Sequence, residues 1–186
     1  MSIRSFIALP VSKDTANYLG DLSAKMSYQD KSNAVRWVPQ ENYHVTIAFL
    51  DHQEWADLEN LANILDDTII QPEFKINLSY LSPFPESRPK LLAAMVEKSN
   101  ELVDLHSQVV SAIRSSGIQT DKRKFKPHIT LGRYRHSKNT FSGAIANFIP
   151  REELVEEIIM YESILSSDGA EYEPLLRLPL DLPGAD

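Results

Sequence analysis

"YHVTIAFL" (Tyr43–Leu50) and "PHITLGRY" (Pro127–Tyr134) decide how this chain is read. Each is an apolar run carrying a histidine and a threonine two residues apart. Alternate residues of a strand point to opposite faces. His44 and Thr46 therefore share one face, while Val45, Ile47 and Phe49 share the other, the core face. The same alternation sets His128 and Thr130 against Ile129 and Leu131. A single histidine in an apolar strand is ordinarily a hydrogen-bonded structural residue. Two copies, one in each half of the chain and each with a proline and an aromatic upstream, ask for a common purpose.

The surroundings of the two runs read as alternating strands and helices. "IRSFIALP" is an opening strand closed by Pro10. Ser12 or Asp14 caps a helix reaching about Met26, with Ala16, Leu19, Leu22 and Met26 inward. "AVRWVP" is a short strand, and Trp55 to Leu65 a second amphipathic helix. "EFKINLSYLS" alternates Phe74, Ile76, Leu78 and Tyr80 against polar residues, as a strand with one buried face does. "PFPESRP" is an irregular loop, "KLLAAMVE" a strand, and Asn100–Ser115 a third helix stopped by Gly117. "LVEEIIMYESIL" fits a helix or a strand, with β-branched residues favouring a strand in its second half. "EPLLRLPL" closes the chain as a strand. The halves echo one another, each supplying a small antiparallel sheet with helix cover. The class is α+β with internal pseudo-symmetry and no fixed-period repeat.

If two such sheets meet on their polar faces, one cleft receives two imidazoles and two hydroxyls. A neutral imidazole takes a proton from an attacking hydroxyl or water while a protonated one gives a proton to the departing oxygen. In-line displacement at phosphorus uses that arrangement, because attacking and leaving oxygens lie on opposite sides. Thr46 and Thr130 can donate to the non-bridging oxygens. Arg133 follows His128 by five residues, so strict alternation turns it away. Gly132 permits a bulge that brings it back, and a guanidinium suits phosphate. Lys122, Arg123, Lys124 and Lys126 form a basic loop able to attract a polyanion. Phe6, Trp37, Tyr43 and Phe125 are candidates to stack on a base.

Composition limits the rest. The 186 residues suit one well-buried domain. With 42% hydrophobic and 24% charged residues the chain is globular. Its net charge of -7 argues against tight clamping of long nucleic acid but leaves room for a local phosphate site. There is no cysteine, which removes disulfides and thiol chemistry. A catalytic zinc needs at least three protein ligands, and each motif offers one. No metal and no cofactor is expected. No stretch is long enough to span a membrane, and "MSIRSFIALP", a short apolar run broken by Arg4, is not expected to act as a signal peptide. The expectation is a cytoplasmic monomer.

"HVTIAFL" and "FKPHITLGR" resemble the paired His-x-Thr motifs of the two-histidine (2H) phosphoesterases. Within them the chain is most similar to the RNA 2',3'-cyclic phosphodiesterases, long called 2'-5' RNA ligases. "RSFIALP", "RWVPQENYHVTIAFL", "SPFPESRPKLLAAMV" and "MYESILSSDGAEYEPL" extend the likeness over nearly the whole chain. The resemblance implies a bilobal fold, two small antiparallel sheets flanking a V-shaped cleft with helices outside. It also implies metal-free hydrolysis of a terminal ribose 2',3'-cyclic phosphate to a 2'-phosphate, with RNA ends as partners. On that analogy His44 protonates the departing 3'-oxygen, His128 activates water, and Thr46, Thr130 and Arg133 hold the phosphate. One departure is visible, since the family's first motif commonly ends Leu-Gly and here Asp51 follows Leu50. Two alternatives stand beside this reading: a phosphodiesterase for another small cyclic or 2'-5'-linked nucleotide, and a non-catalytic module that binds RNA ends.

Overall fold

The computed structural model describes residues 2–119, 124–135, 141, 143–166 and 169–180. Nine strands form one antiparallel sheet: β1 (Ser2–Pro10), β2 (Val35–Trp37), β3 (His44–Glu54), β4 (Phe74–Phe84), β5 (Leu91–Val96), β6 (His128–Tyr134), β7 (Arg151–Val155), β8 (Glu157–Ser166) and β9 (Gly169–Pro179). Three helices accompany them: α1 (Lys13–Gln29), α2 (Trp55–Thr68) and α3 (Asn100–Ser115). The strand order is β7-β4-β5-β6-β3-β1-β8-β9, with β2 also paired to β6. The two lobes are the two halves of this sheet. They join where Val45 of β3 faces Ile129 of β6. An antiparallel pair at the centre is related by a two-fold axis between its strands. That axis exchanges β3 with β6, β1 with β5, β8 with β4 and β9 with β7.

The lobes are not the two halves of the chain, as the sequence suggested. One is β3-β1-β8-β9 and draws on both ends of the chain, while β2 leaves the first half to pair with β6. The reason is the crossovers. Helix α1 leaves β1 and packs beside β2 and β6, and α3 packs against β3. Each helix thereby covers the seam instead of its own strand. "LVEEIIMYESIL" is strand in both halves, broken at Glu156: β7 closes the edge of β4 and β8 pairs with β1.

One face of the sheet is buried under the helices. Leu19 and Met26 of α1, Leu58, Leu61 and Leu65 of α2, and Leu102, Leu105 and Val109 of α3 pack with Val45, Ile47, Ile129 and Leu131. Burying each such side chain contributes roughly 1.5–3 kcal/mol, so this layer holds the two motif strands in place. Ser12 caps α1, accepting from the Thr15 amide at 3.2 Å. The cap is itself held by Glu153 of β7, which is only 3% exposed. Its carboxylate accepts from the Ser12 amide, the Ser12 hydroxyl at 2.9 Å and the Thr15 hydroxyl. A buried carboxylate with three donors ties the edge of one lobe to the helix that covers the seam.

Bulges decide which side chains leave the core. In β3 the register with β1 slips so that Ile47 and Leu50 are unopposed. The alternation therefore inverts after Thr46: Leu50 is buried, and Phe49, expected in the core, is 44% exposed. Asp51 has φ +54°, in the left-handed region where glycine is at ease and Asp is among the tolerated residues. That is the position where the resemblance to the paired motifs implied glycine. A slip after Leu78 likewise exposes Tyr80, which alternation had placed inside.

Replacing Glu153 with alanine strips three donors of a buried charged acceptor. Urea unfolding of Glu153→Ala is expected to show a loss of about 2–3 kcal/mol; a loss below half of the lower figure would show that the clasp carries no weight.

Candidate active site

His44 and His128 open β3 and β6, one on each side of the seam. The seam pair Val45–Ile129 sets His44 across from Thr130 and Thr46 across from His128. Both rings are anchored in the same way. Nδ1 of His44 lies 2.8 Å from the carbonyl of Asn42, and Nδ1 of His128 lies 2.7 Å from the carbonyl of Lys126. A carbonyl only accepts, so each Nδ1 carries the hydrogen, and each neutral ring presents a bare Nε2. Nε2 of His44 lies 3.1 Å from the Thr46 hydroxyl, which donates to it while the ring is neutral. Asn42 is braced in turn, its side-chain amide donating to the Ala170 carbonyl at 2.7 Å.

An aromatic ring backs each imidazole at nearly the same angle. Phe6 of β1 stands 4.9 Å from His44 at 33°, and Phe84 of β4 stands 4.6 Å from His128 at 34°. Beyond that the two environments part. His44 also meets Tyr172 edge-on at 5.3 Å and Tyr161 at 6.4 Å. Its edge is still open to solvent, but the aromatic wall strips water from most of the ring. Burial, above all, pushes its pKa from 6.5 down to about 4; the Asn42 carbonyl opposes this, and the positive charges of Arg133 and His128 add to it. His128 is also lowered, by burial first and by Arg133, with the Lys126 carbonyl opposing. Near neutral pH both rings of the free protein are uncharged.

Arg133 reaches the site because β6 is bulged. Its register with β5 slips so that Leu131 is unopposed, the same slip that follows Thr46 in β3. Arg133 therefore returns to the face of His128 and Thr130, and its charge acts on both histidines. Gly132 is needed beneath it. A Cβ there lies 2.4 Å from Val35 Cγ1 and 3.3 Å from Trp37, too close for any side chain to enter without displacing β2.

Residues 24–161 match the sequence model of the 2'-5' RNA ligase superfamily. The chain belongs to that superfamily. A protein of Methanocaldococcus jannaschii named RNA 2',3'-cyclic phosphodiesterase is 27% identical over 176 residues, covering 92% of this chain and 97% of its own. One of the same name from Escherichia coli is 31% identical over 147 residues, covering 79% and 81%. The crystal structure of E. coli LigT in apo form superposes with a TM-score of 0.79 at 25% identity, over 97% of this chain and 98% of that one. LigT complexed with 3'-AMP superposes at 0.76. The chain is thus a phosphoesterase of the two-histidine type, built on the curled antiparallel sheet of that family.

The structure gathers His44, Thr46, His128, Thr130 and Arg133 on one face. The aromatic candidates fare differently. Tyr43 is 5% exposed, with its hydroxyl 2.9 Å from that of Ser23, so it offers no face to a base. Phe6 is 4% exposed and backs His44 instead of awaiting a ligand. Trp37 packs edge-on against Phe141 at 6.0 Å, and Phe125 stacks on His106 at 4.0 Å. Of the basic loop, Lys122 and Arg123 lie outside the described residues, while Lys124 and Lys126 are exposed. Phe84, Tyr161 and Tyr172 escaped the sequence reading because no local pattern links them to a histidine; only strand pairing does. Among the described residues no three His, Cys, Asp or Glu side chains converge as a metal site requires. None of the described helices is long and apolar enough to cross a membrane.

Two outcomes follow from this geometry. A proton NMR titration is expected to place the His44 midpoint near pH 4 and that of His128 below 6.5. The unfolded chain takes up these protons from about pH 6.5 and the fold refuses them, so stability is full above 6.5 and drains away as pH falls toward 4. A His44 midpoint at or above 6.5 contradicts the enclosure described. Gly132→Ala is expected to cost about 1–3 kcal/mol and to lower turnover as Arg133 shifts; unchanged values of both in denaturation and rate assays contradict the tight approach.

Proposed function

We propose that this protein hydrolyses a terminal RNA 2',3'-cyclic phosphate to a 2'-phosphate with its two histidines as acid and base. The observation that carries the reading is the matched pair of rings, each with Nδ1 committed to a backbone carbonyl, which leaves Nε2 of each as the nitrogen able to take or give a proton. Water approaches phosphorus from the His128 side, and His128 Nε2 accepts its proton as the new P–O bond forms. The P–O3' bond breaks on the opposite side, and a protonated His44 gives its Nε2 proton to O3'. The 2'-ester bond survives. His44 ends neutral and His128 protonated, and exchange with solvent restores the starting state. The names of the relatives and the 3'-AMP complex of LigT support an RNA-type ribose phosphate as substrate.

The depressed pKa of His44 suits an acid. An imidazolium held in an aromatic enclosure surrenders its proton readily, and the phosphodiester anion supplies the charge that keeps the proton there until O3' departs. Thr46 then turns its hydroxyl from Nε2 to one non-bridging oxygen, with Thr130 and Arg133 on the other, so negative charge developing in the transition state meets donors already in place. A ribose hydroxyl entering where water does gives 2'-5' ligation by the same steps.

The decisive assay supplies 2',3'-cyclic AMP and an oligoribonucleotide ending in a cyclic phosphate, and identifies the product. A 2'-phosphate, formed equally well in EDTA, is the expected result; tight RNA binding without turnover would sink the catalytic reading. His44→Ala and His128→Ala are each expected to lower kcat by about 10²–10⁴-fold with the fold intact by circular dichroism. Only the singly protonated pair is active, and both rings titrate below 6.5 in the free protein. The bell of kcat/KM is therefore expected to peak below pH 6.5, its limbs belonging to the pair. A peak above pH 7 is incompatible with this.

A further inference from the structure

Arg36 and Arg133 are direct cross-strand partners in the β2–β6 pair. Direct partners share a face, so two guanidiniums stand side by side, an arrangement that weakens a sheet through like-charge repulsion. Arg135 follows Arg133 by two residues and lies on the same face. The three, with Tyr134, line a recess of about 400 Å³. The chain has 26 acidic residues. Yet among the described residues none of these arginines has a carboxylate within 4.0 Å, whereas Lys75 and Arg177 do. Three cations set together on one edge, with no carboxylate in ion-pair contact among the described residues, suit an anionic ligand.

The position says which ligand. β2 and β3 lie along the same edge of β6, with Trp37 opposite Gly132 and Val45 opposite Ile129. The recess is therefore at the His44 end of the cleft, and Arg133 belongs to both. In-line displacement puts the leaving oxygen, and all that is attached to it, on the side of the acid. With His44 as that acid, the terminal nucleoside and the chain leading to it extend toward the recess. We infer that Arg36 and Arg135, beside Arg133, bind the internucleotide phosphate on the 5' side of the terminal ribose. The site thus selects oligoribonucleotide ends over mononucleotides. This rests on the hydrolytic reading above. Guanidiniums hold phosphate through paired charge-assisted bonds, and a contact to phosphate strengthens binding of any sequence alike.

The test compares 2',3'-cyclic AMP with adenylyl-adenosine 2',3'-cyclic phosphate, which adds one internucleotide phosphate. The wild type is expected to favour the dinucleotide in kcat/KM. Arg36→Gln and Arg135→Gln are each expected to remove about tenfold of that preference while cyclic AMP turnover stays within about twofold. The salt dependence of dinucleotide binding should become shallower by about 0.7 in log–log slope per arginine. Relief of the like-charge pair predicts that Arg36→Gln melts no lower than the wild type. Equal losses on both substrates, or an undiminished preference, overturn the subsite. If the wild type hydrolyses neither compound, the hydrolytic reading has failed by itself. The subsite is then read from equilibrium binding of the dinucleotide and mononucleotide 2'-phosphates, where a deficit in the variants confined to the dinucleotide upholds it and its absence overturns it.

Discussion

The site depends on a seam one residue pair wide. Val45 and Ile129 join two four-stranded arrays into a single sheet, and both side chains are fully buried beneath the helices. Because the pair is antiparallel, the residue before each partner faces the residue after the other. The two histidines are thereby set diagonally across the seam, each opposite the other's threonine. A wider pairing would run the motif strands side by side and leave no opening between the lobes. A separation would lose the register that places one imidazole against the other. The helices α1 and α3, crossing from one lobe to pack at the other, keep the seam closed on its far side.

Symmetry of backbone and asymmetry of surroundings divide the labour. The backbone treats the two motifs alike: the same i−2 carbonyl at Nδ1, the same slip of register after the threonine, an aromatic ring at the same tilt. The bulges have different consequences at the matching position five residues beyond each histidine, which is Phe49 in one lobe and Arg133 in the other. The hairpin of β8 and β9 then breaks the symmetry further by bringing Tyr161 and Tyr172 over His44, with no counterpart over His128 among the ring contacts of the described residues. Two identical groups receive different desolvation, and desolvation is the leading cause of both pKa shifts. The fold thus obtains two distinct proton affinities from one residue type.

The arginines beside the seam show the opposite economy. Val35, Gly132 and Trp37 make a close-packed layer on the buried face of β2 and β6, with no space for a Cβ at 132. On the other face of the same strands Arg36, Arg133 and Arg135 stand together with no ion-pair partner among the described residues. Packing is close where it supports the sheet, and on the opposite face the arginines make the local charge positive in a chain of net charge -7.

Much was legible in the residues themselves. Alternation within each motif run identified His44, Thr46, His128 and Thr130 as a face, because that periodicity follows from strand geometry alone. The start of α1 at Ser12 or Asp14, of which the structure uses Ser12, Gly117 as a stop and the span of α3 were equally local. Alternation failed at Phe49 and Tyr80, where an unopposed residue inverts the face, since a bulge is a property of two paired strands and leaves little trace in either. The membership of the lobes, the burial of Phe6 and Tyr43, the tyrosines over His44 and the apposition of Arg36 with Arg133 were decided by pairings between distant segments. Sequence determined which groups could do chemistry. Tertiary structure decided which of them share water, charge and a common opening, because those depend on distances across strands that no local pattern encodes.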